Sequence, residues 1–423
     1  MVGGFRRLPG EQKANVFSVL VSGTGGLADA TSQNLLSGLF GVLEQTLANL
    51  RIEDAATAES IVELYGGVGR ASFVDIENGV GAESFVVTRF MTAALPKLAA
   101  LMEPFGKASN MRVVCGLLKT FRDYSEHWIA FLNDAECRVL YEACNVLMRS
   151  YCSVRVGGVV VRGKGDDEDE EQAYIDVLNC IELLTHLGTK DFMNVCDNSG
   201  AEGVDVTDVI FYGISQITPL MTGGLLSYPK ITLQFFELVG YVCDVYPEKM
   251  HSLPGEFVCG LVDSLLWGCT HLNLVVGKNC LKGLESICKE HLQSESLTNL
   301  LLLKPDLFQR VIRGVLKDVV MDVGVLFDRI DGCGALLMSL VAVDLEYFSS
   351  TVRELVGGLG GGAGGGGEEQ KRAVMAGFEA LVDFEVIQKA IWGKGVEARN
   401  SRNAFKAKFG EFVRGLHSFL TRL

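Results

Sequence analysis

Asp205–Leu272 reads DVTDVIFYGISQITPLMTGGLLSYPKITLQFFELVGYVCDVYPEKMHSLPGEFVCGLVDSLLWGCTHL, three apolar segments cut by proline and glycine. In the middle segment Ile231, Phe235, Leu238, Val242 and Val245 follow at steps of 4, 3, 4 and 3. That spacing lines one side of a helix at 3.6 residues per turn. Phe236, Val239 and Cys243 widen the stripe. Pro229 suits a first helical turn, where its missing N–H would be unpaired anyway. Pro247 blocks continuation, so the spacing predicts a helix ending near Val245. Pro254 opens a second helix carrying Val258, Leu261, Leu265 and Cys269 on one side. A short link predicts that the two helices lie antiparallel.

One such hairpin buries a single side of each helix and needs another hairpin beside it. Outward from this stretch the chain supplies them. Helical spacing recurs over Glu11–Val21, Thr31–Leu50, Ala55–Tyr65, Ser84–Met102 and Met111–Leu132. In the second of these Leu35, Leu39, Val42, Leu43 and Leu47 are expected inward, and in the fourth Pro96 is expected to kink or break the helix. Asn133 and Glu136 form a capping-box pattern ahead of a helix over Ala135–Tyr151, with Leu140, Cys144, Leu147 and Tyr151 inward. Further helices are expected over Gln172–Leu187, Asn273–His291, Pro305–Val320, Val323–Ala342, Leu345–Val356, Glu368–Val382, Phe384–Trp392 and Ser401–Leu420. No strand pattern stands out. The expected architecture is therefore all-α: an α-solenoid of HEAT-like antiparallel helix hairpins, about seven of them at a period of about 40–47 residues. Its solenoid proper covers 1–356, a glycine-rich linker (GGLGGGAGGGG) covers 357–367, and terminal capping helices of the same stack cover 368–423.

Composition agrees. Of 423 residues 48% are apolar, enough for a large core, and only 8 are proline. The 49 glycines blur helix boundaries, since glycine disfavours helix interiors. A net charge of −14 argues against a nucleic-acid binder and suits basic protein partners or plain solubility. The 12 cysteines contain no C-x-x-C. Cys137, Cys144 and Cys152 share one helical face, as do Cys280 and Cys288, which suits small buried residues in a reducing compartment better than disulfides or zinc. No secretory signal and no uncharged run of membrane-spanning length is read in the chain.

Motifs for bond chemistry are missing. Gly67-x-Gly69 lacks a third glycine and a preceding strand, so an inter-helix loop is expected there. No H-E-x-x-H, G-x-S-x-G, Walker or EF-hand pattern occurs, the six histidines are scattered, and neither Cys137 nor Cys144 has a base nearby in sequence. The expectation is a non-enzyme without cofactor, nucleotide or metal.

The segments DVIFYGISQITPLM, LLSYPKITLQFFELVGYVCDVYPEKMHSLP and LVDSLLWGCT, with LNDAECRVLYEACNVLMRSY and EEQAYIDVLNCIELLTHLGTKDFMNV upstream, resemble the late HEAT repeats of the exportins, in the karyopherin-β superfamily. The likeness runs from about Met111 to His291, and NAFKAKFGEFVRGL resembles the last helix. It implies a nuclear export receptor that binds protein cargo together with Ran-GTP, touches nucleoporins and shuttles between nucleus and cytoplasm. It further implies that this chain corresponds to the carboxy-terminal part of such a receptor, with an apolar face on its first hairpins where further repeats stack. The cargo so implied includes a translation factor bearing hypusine, an extended cationic amine. Its recognition calls for carboxylates among apolar walls. Tyr141 and Glu142 in LYEAC, and Glu182 in NCIELLTHL, are the candidate cargo-binding residues. A solvated glutamate on the outer half of its helix is the plainer account of Glu142. The acidic run closing 157–171 is either a solvated block, a helix-start charge or a contact for a basic cargo or the Ran surface. A second functional class stays open: a HEAT scaffold or regulatory subunit that organises a complex without Ran.

Overall fold

The computed structural model describes residues 10–27, 29–71, 74–75, 79–80, 82–156, 174–194, 205–321, 329–358 and 367–420. These fall into two compact units, Met1–Thr222 and Gly223–Leu423. Each unit is an α-solenoid segment. The expected linker centre (359–366), the acidic segment and the loop before Asp205 lie outside the described residues.

The first unit contains α1 (Gly10–Ser22), α2 (Asp29–Ala48), α3 (Ala55–Gly69), α4 (Ala82–Lys107), α5 (Met111–Trp128), α6 (Asp134–Val156), α7 (Ile175–Asn194) and α8 (Val206–Ile217). Alternate helices lie side by side, giving two rows: α1, α3, α5, α7 in one and α2, α4, α6, α8 in the other. This follows from the sequence pattern. Each helix has one apolar side facing the opposite row and must bury its flanks against row neighbours. Phe90 of α4 stacks on Phe40 of α2 within one row and on Tyr65 of α3 across the rows, with ring centroids 4.0 and 5.2 Å away. Side-chain caps fix the helix starts: Asp54 accepts from the Thr57 N–H, Asn110 from Val113 and Asp205 from Thr207. The expected capping box at α6 is present in both directions, Asn133 N–H to Glu136 Oε2 and Glu136 N–H to Asn133 Oδ1, each 3.0 Å.

The second unit contains α9 (Pro229–Val245), α10 (Gly255–Gly268), α11 (Leu274–Ser294), α12 (Thr298–Leu303), α13 (Leu307–Gly314), α14 (Ile330–Val343), α15 (Leu345–Gly358), α16 (Gly367–Leu381), α17 (Phe384–Trp392) and α18 (Gly395–Leu420). Its rows are α9, α11, α14, α18 and α10, α13, α15, α16. Helix α9 begins at Pro229 and ends at Val245 as its prolines dictate, and Pro254 caps α10. The link between them is itself a 3-10 turn, Pro247–Ser252. All four named stripe residues of α10, and all of α9 except the half-buried Val245, are buried. A π turn, Val315–Val320, prolongs α13.

Several expectations are corrected. The GGVG segment is no loop but the buried last turn of α3. A Cβ on Gly67 would stand 2.5 Å from the Ala14 carbonyl oxygen, and one on Gly69 3.3 Å from the Tyr124 nitrogen. Glycine is there because α1 and α5 pack closer than a side chain allows. On α2 the inward residues are Leu36, Phe40, Leu43 and Leu47, while Leu35 and Val42 are 50% and 64% exposed. The stripe is rotated because the bulky Phe40 takes the inner position against Phe90. Helix α4 passes Pro96 and Pro104 without ending. The lost hydrogen bonds are offset by packing of Met91, Leu95, Leu98 and Met102, all fully buried. A two-residue antiparallel pairing, Val74–Asp75 with Gly79–Val80, interrupts the all-helical pattern between α3 and α4. By length and hydropathy Phe85–Lys107 meets the requirement of a membrane span, contrary to expectation, and half of that window is buried. It packs against α2, α5 and α6, as a core helix does.

Val16, Val19 and Leu20 on α1, like Leu35 and Val42 on α2, are exposed, so the first hairpin carries outward apolar residues.

Candidate functional site

Row one of the first unit is threaded by a polar ladder. It starts from a charged pair in the middle of α5, Arg122-Asp123, which the surrounding apolar spacing turns toward neighbouring helices. Asp123 is 1% exposed. Arg122 donates to Asp123 Oδ1 from Nη2 (2.5 Å) and Nε (3.0 Å), and from Nη1 to Asn179 Oδ1 (2.7 Å) and Glu182 Oε2 (2.9 Å) on α7. On the other side Arg70, the C-cap of α3, lies 3.2 Å from Asp123 Oδ2 and donates to Asn15 Oδ1 of α1 at 3.0 Å. Burial alone would pull the Arg122 guanidinium down, but Asp123 and Glu182 more than offset it and hold its pKa above the ordinary value. Thr120 adds a buried bond from α5 to the Val62 carbonyl of α3, 3.1 Å long. Tyr151 donates to Asp176 at 2.9 Å, tying α6 to α7 across the rows.

A cleft of about 180 Å³ opens beside this ladder among α1, α3 and α5, lined by Glu11, Glu59, Glu63, Arg70, Arg112, Lys119 and Asp123 among others. Lys119 pairs with Glu11 (3.3 Å) and Arg112 approaches Glu59 (3.8 Å). Glu63 makes no hydrogen bond or ion pair among the described residues. Burial raises its pKa against the opposing pull of Lys13. The arrangement is one of paired charges on helix flanks, suited to contact with a polar protein surface.

The three residues proposed from sequence do not come together. Glu142 is exposed on α6, with Tyr141 beside it half-buried. Glu182 is on α7, in the other row, with a side chain 16% exposed and engaged by Arg122. A cationic ligand at Glu182 would have to displace that guanidinium. The residues missed were Arg70, Arg122, Asp123 and Glu63. The visible signal was a pair of opposite charges within an apolar helix, KTFRDYSEHW, which only a partner helix could neutralise.

Among the described residues no group of three or more His, Cys, Asp or Glu side chains is arranged to hold a metal. All described cysteines are free thiols, and all but Cys115 are buried. Burial pushes the Cys152 thiol up to about 11 and Cys333 up to about 12, and raises Cys144, Cys243, Cys269, Cys280 and Cys288 as well. Such thiols are inert small apolar residues. His186 and His291 are shifted down by burial and kept neutral.

No family model matches the chain. Among solved structures it is similar to a homology model of the full-length AP-3 complex in an intermediate open conformation, at 10% identity and a TM-score of 0.19 over 98% of this chain and 80% of that one. At those values the likeness carries no argument about function.

Proposed function

We propose that the chain is a non-enzymatic protein-binding solenoid, and more narrowly the carboxy-terminal part of an exportin-4-like nuclear export receptor that takes protein cargo together with Ran-GTP. The observation that carries the reading is the pairing of helices into two rows in each unit, just where the in-order resemblance to exportin repeats runs. Rows of this kind present long helix flanks set with charges, such as those around Glu63 and Arg112. They grip a surface; they do not enclose a reacting atom. The reading makes nucleoporins further partners, gives the protein a nuclear and cytoplasmic distribution, and requires no cofactor, nucleic acid or membrane. Glu142 with Tyr141 remains the proposed contact for a cationic cargo group, such as hypusine, because it is the exposed carboxylate of the candidate set.

The test is a pull-down on the immobilised chain with Ran locked in the GTP form, Ran-GDP, and a hypusine-bearing factor. Capture that depends on Ran-GTP, and falls with Glu142→Lys, supports the receptor. Cargo capture indifferent to the Ran nucleotide assigns the chain to a Ran-independent scaffold.

A further inference from the structure

The chain carries 52 acidic and 38 basic residues, yet one furrow of the second unit is rimmed by cations. It runs between α15 and α16. Two adjoining cavities, about 470 and 190 Å³, share Arg353, Met375 and Glu379 and so form one groove. Its floor is apolar: Val352, Val356 and Phe378 are buried at its base, Met375 is half-buried and Ala376 exposed. On the rim Arg353 and Arg372 are exposed and have no carboxylate partner among the described residues, while Lys371 donates to the Gly357 carbonyl oxygen at 3.2 Å. Glu379 is the single acid of the lining among the described residues.

Elsewhere on the same row the cations are matched. Arg310 engages Asp263 and Arg313 grips Glu354 with two hydrogen bonds, each pair bridging neighbouring helices. Against that pattern Arg353 and Arg372 are left without counter-charges among the described residues. We propose that this groove docks an amphipathic helix of a partner protein, with apolar anchors at i, i+3 or i+4 and i+7 and acidic residues flanking them. The apolar floor supplies the burial, and two packed helices form a furrow shaped for a third. The guanidinium groups supply the complementary charge and select against basic helices. An anionic surface without anchors, such as a lipid headgroup layer, would leave the Met375 and Ala376 floor unused. The inference concerns a surface that needs no Ran, so it stands or falls apart from the export reading.

The test uses the full chain and two fluorescein-labelled synthetic helices that share leucine anchors and differ only in flanking Glu or Lys. Anisotropy is expected to give saturable binding of the Glu helix and binding of the Lys helix weaker by roughly tenfold or more. The exposed double variant R353E/R372E should lose about tenfold for the Glu helix and gain for the Lys helix, with an unchanged circular dichroism spectrum; the milder R353A is measured beside it in case the double variant misfolds. Equal affinity for the two helices, no loss in R353A and R353E/R372E, or binding of phosphatidylserine vesicles with none of the Glu helix, would each overturn the proposal.

Discussion

In the first unit a charge network that ties neighbouring helices lies inside row one: Asp123 is buried, and Arg122 and Arg70 reach it with side chains only 18% and 21% exposed. The second unit keeps most of its inter-helix charges nearer the surface. Row one there is closed by small residues. A Cβ on Gly240 would meet the Asn279 carbonyl oxygen at 2.9 Å, and one on Gly283 would meet Cys243 Cβ at 3.2 Å. Among its ion pairs, Lys304 with Glu256, Arg310 with Asp263 and Arg313 with Glu354 sit on exposed flanks, and Lys282, which pairs with Asp244 from α11 to α9, is 65% exposed. Even Arg329, the one deeply buried Lys or Arg among the described residues of this unit, turns to neutral carbonyls and donates to Cys269, His271 and Asn273. One two-row plan is thus stitched in two ways. A buried network contributes only while complete, because removing one partner strands the others away from water. A close glycine seam contributes dispersion and apolar burial, which no single charge controls.

That contrast can be broken in order of effect. Asp123→Ala leaves Arg122 and Arg70 facing each other and should cost about 3–5 kcal/mol by urea unfolding. Hydrogen exchange should rise in α3, α5 and α7 while α9 and α11 stay protected. A uniform rise would mean that the two units are not independently stitched. Gly240→Ala should cost about 1–3 kcal/mol through overpacking, with protection lost in α9 and α11 instead. A loss that depended on salt would argue against a purely steric seam.

Glu63→Gln gives the smallest change and carries a sign. Because burial raises the folded pKa of this carboxyl above its unfolded value, the native state holds the proton longer. The charged form therefore costs stability as pH rises through that folded pKa. The amide should stabilise the chain slightly at neutral pH, by less than about 0.5 kcal/mol. The gain should vanish below the ordinary carboxyl range, where both states are protonated. A gain that persisted in acid would assign the effect to packing.

Much of the fold was legible along the chain. Proline positions set both ends of α9 and the start of α10, and Asn133 with Glu136 marked the start of α6, because these are interactions between residues a few positions apart. Glycine was misread wherever its reason was another helix: Gly66, Gly67 and Gly69 look like a loop until α1 and α5 are seen against them. The candidate site suffered the same way. Glu142 and Glu182 stood out as acids among apolar neighbours, but nothing local tells that Arg122, sixty positions from Glu182, claims its carboxylate.

By itself, then, the sequence determined the helices, their apolar sides and the absence of familiar catalytic motifs, since periodicity and caps act within one turn or two. Only the tertiary structure decided which charges are shared and which stand open, the Asp123 ladder on one hand and the Arg353 rim on the other. Charge pairing depends on distances between helices, and those are fixed by packing across the rows, not by order along the chain.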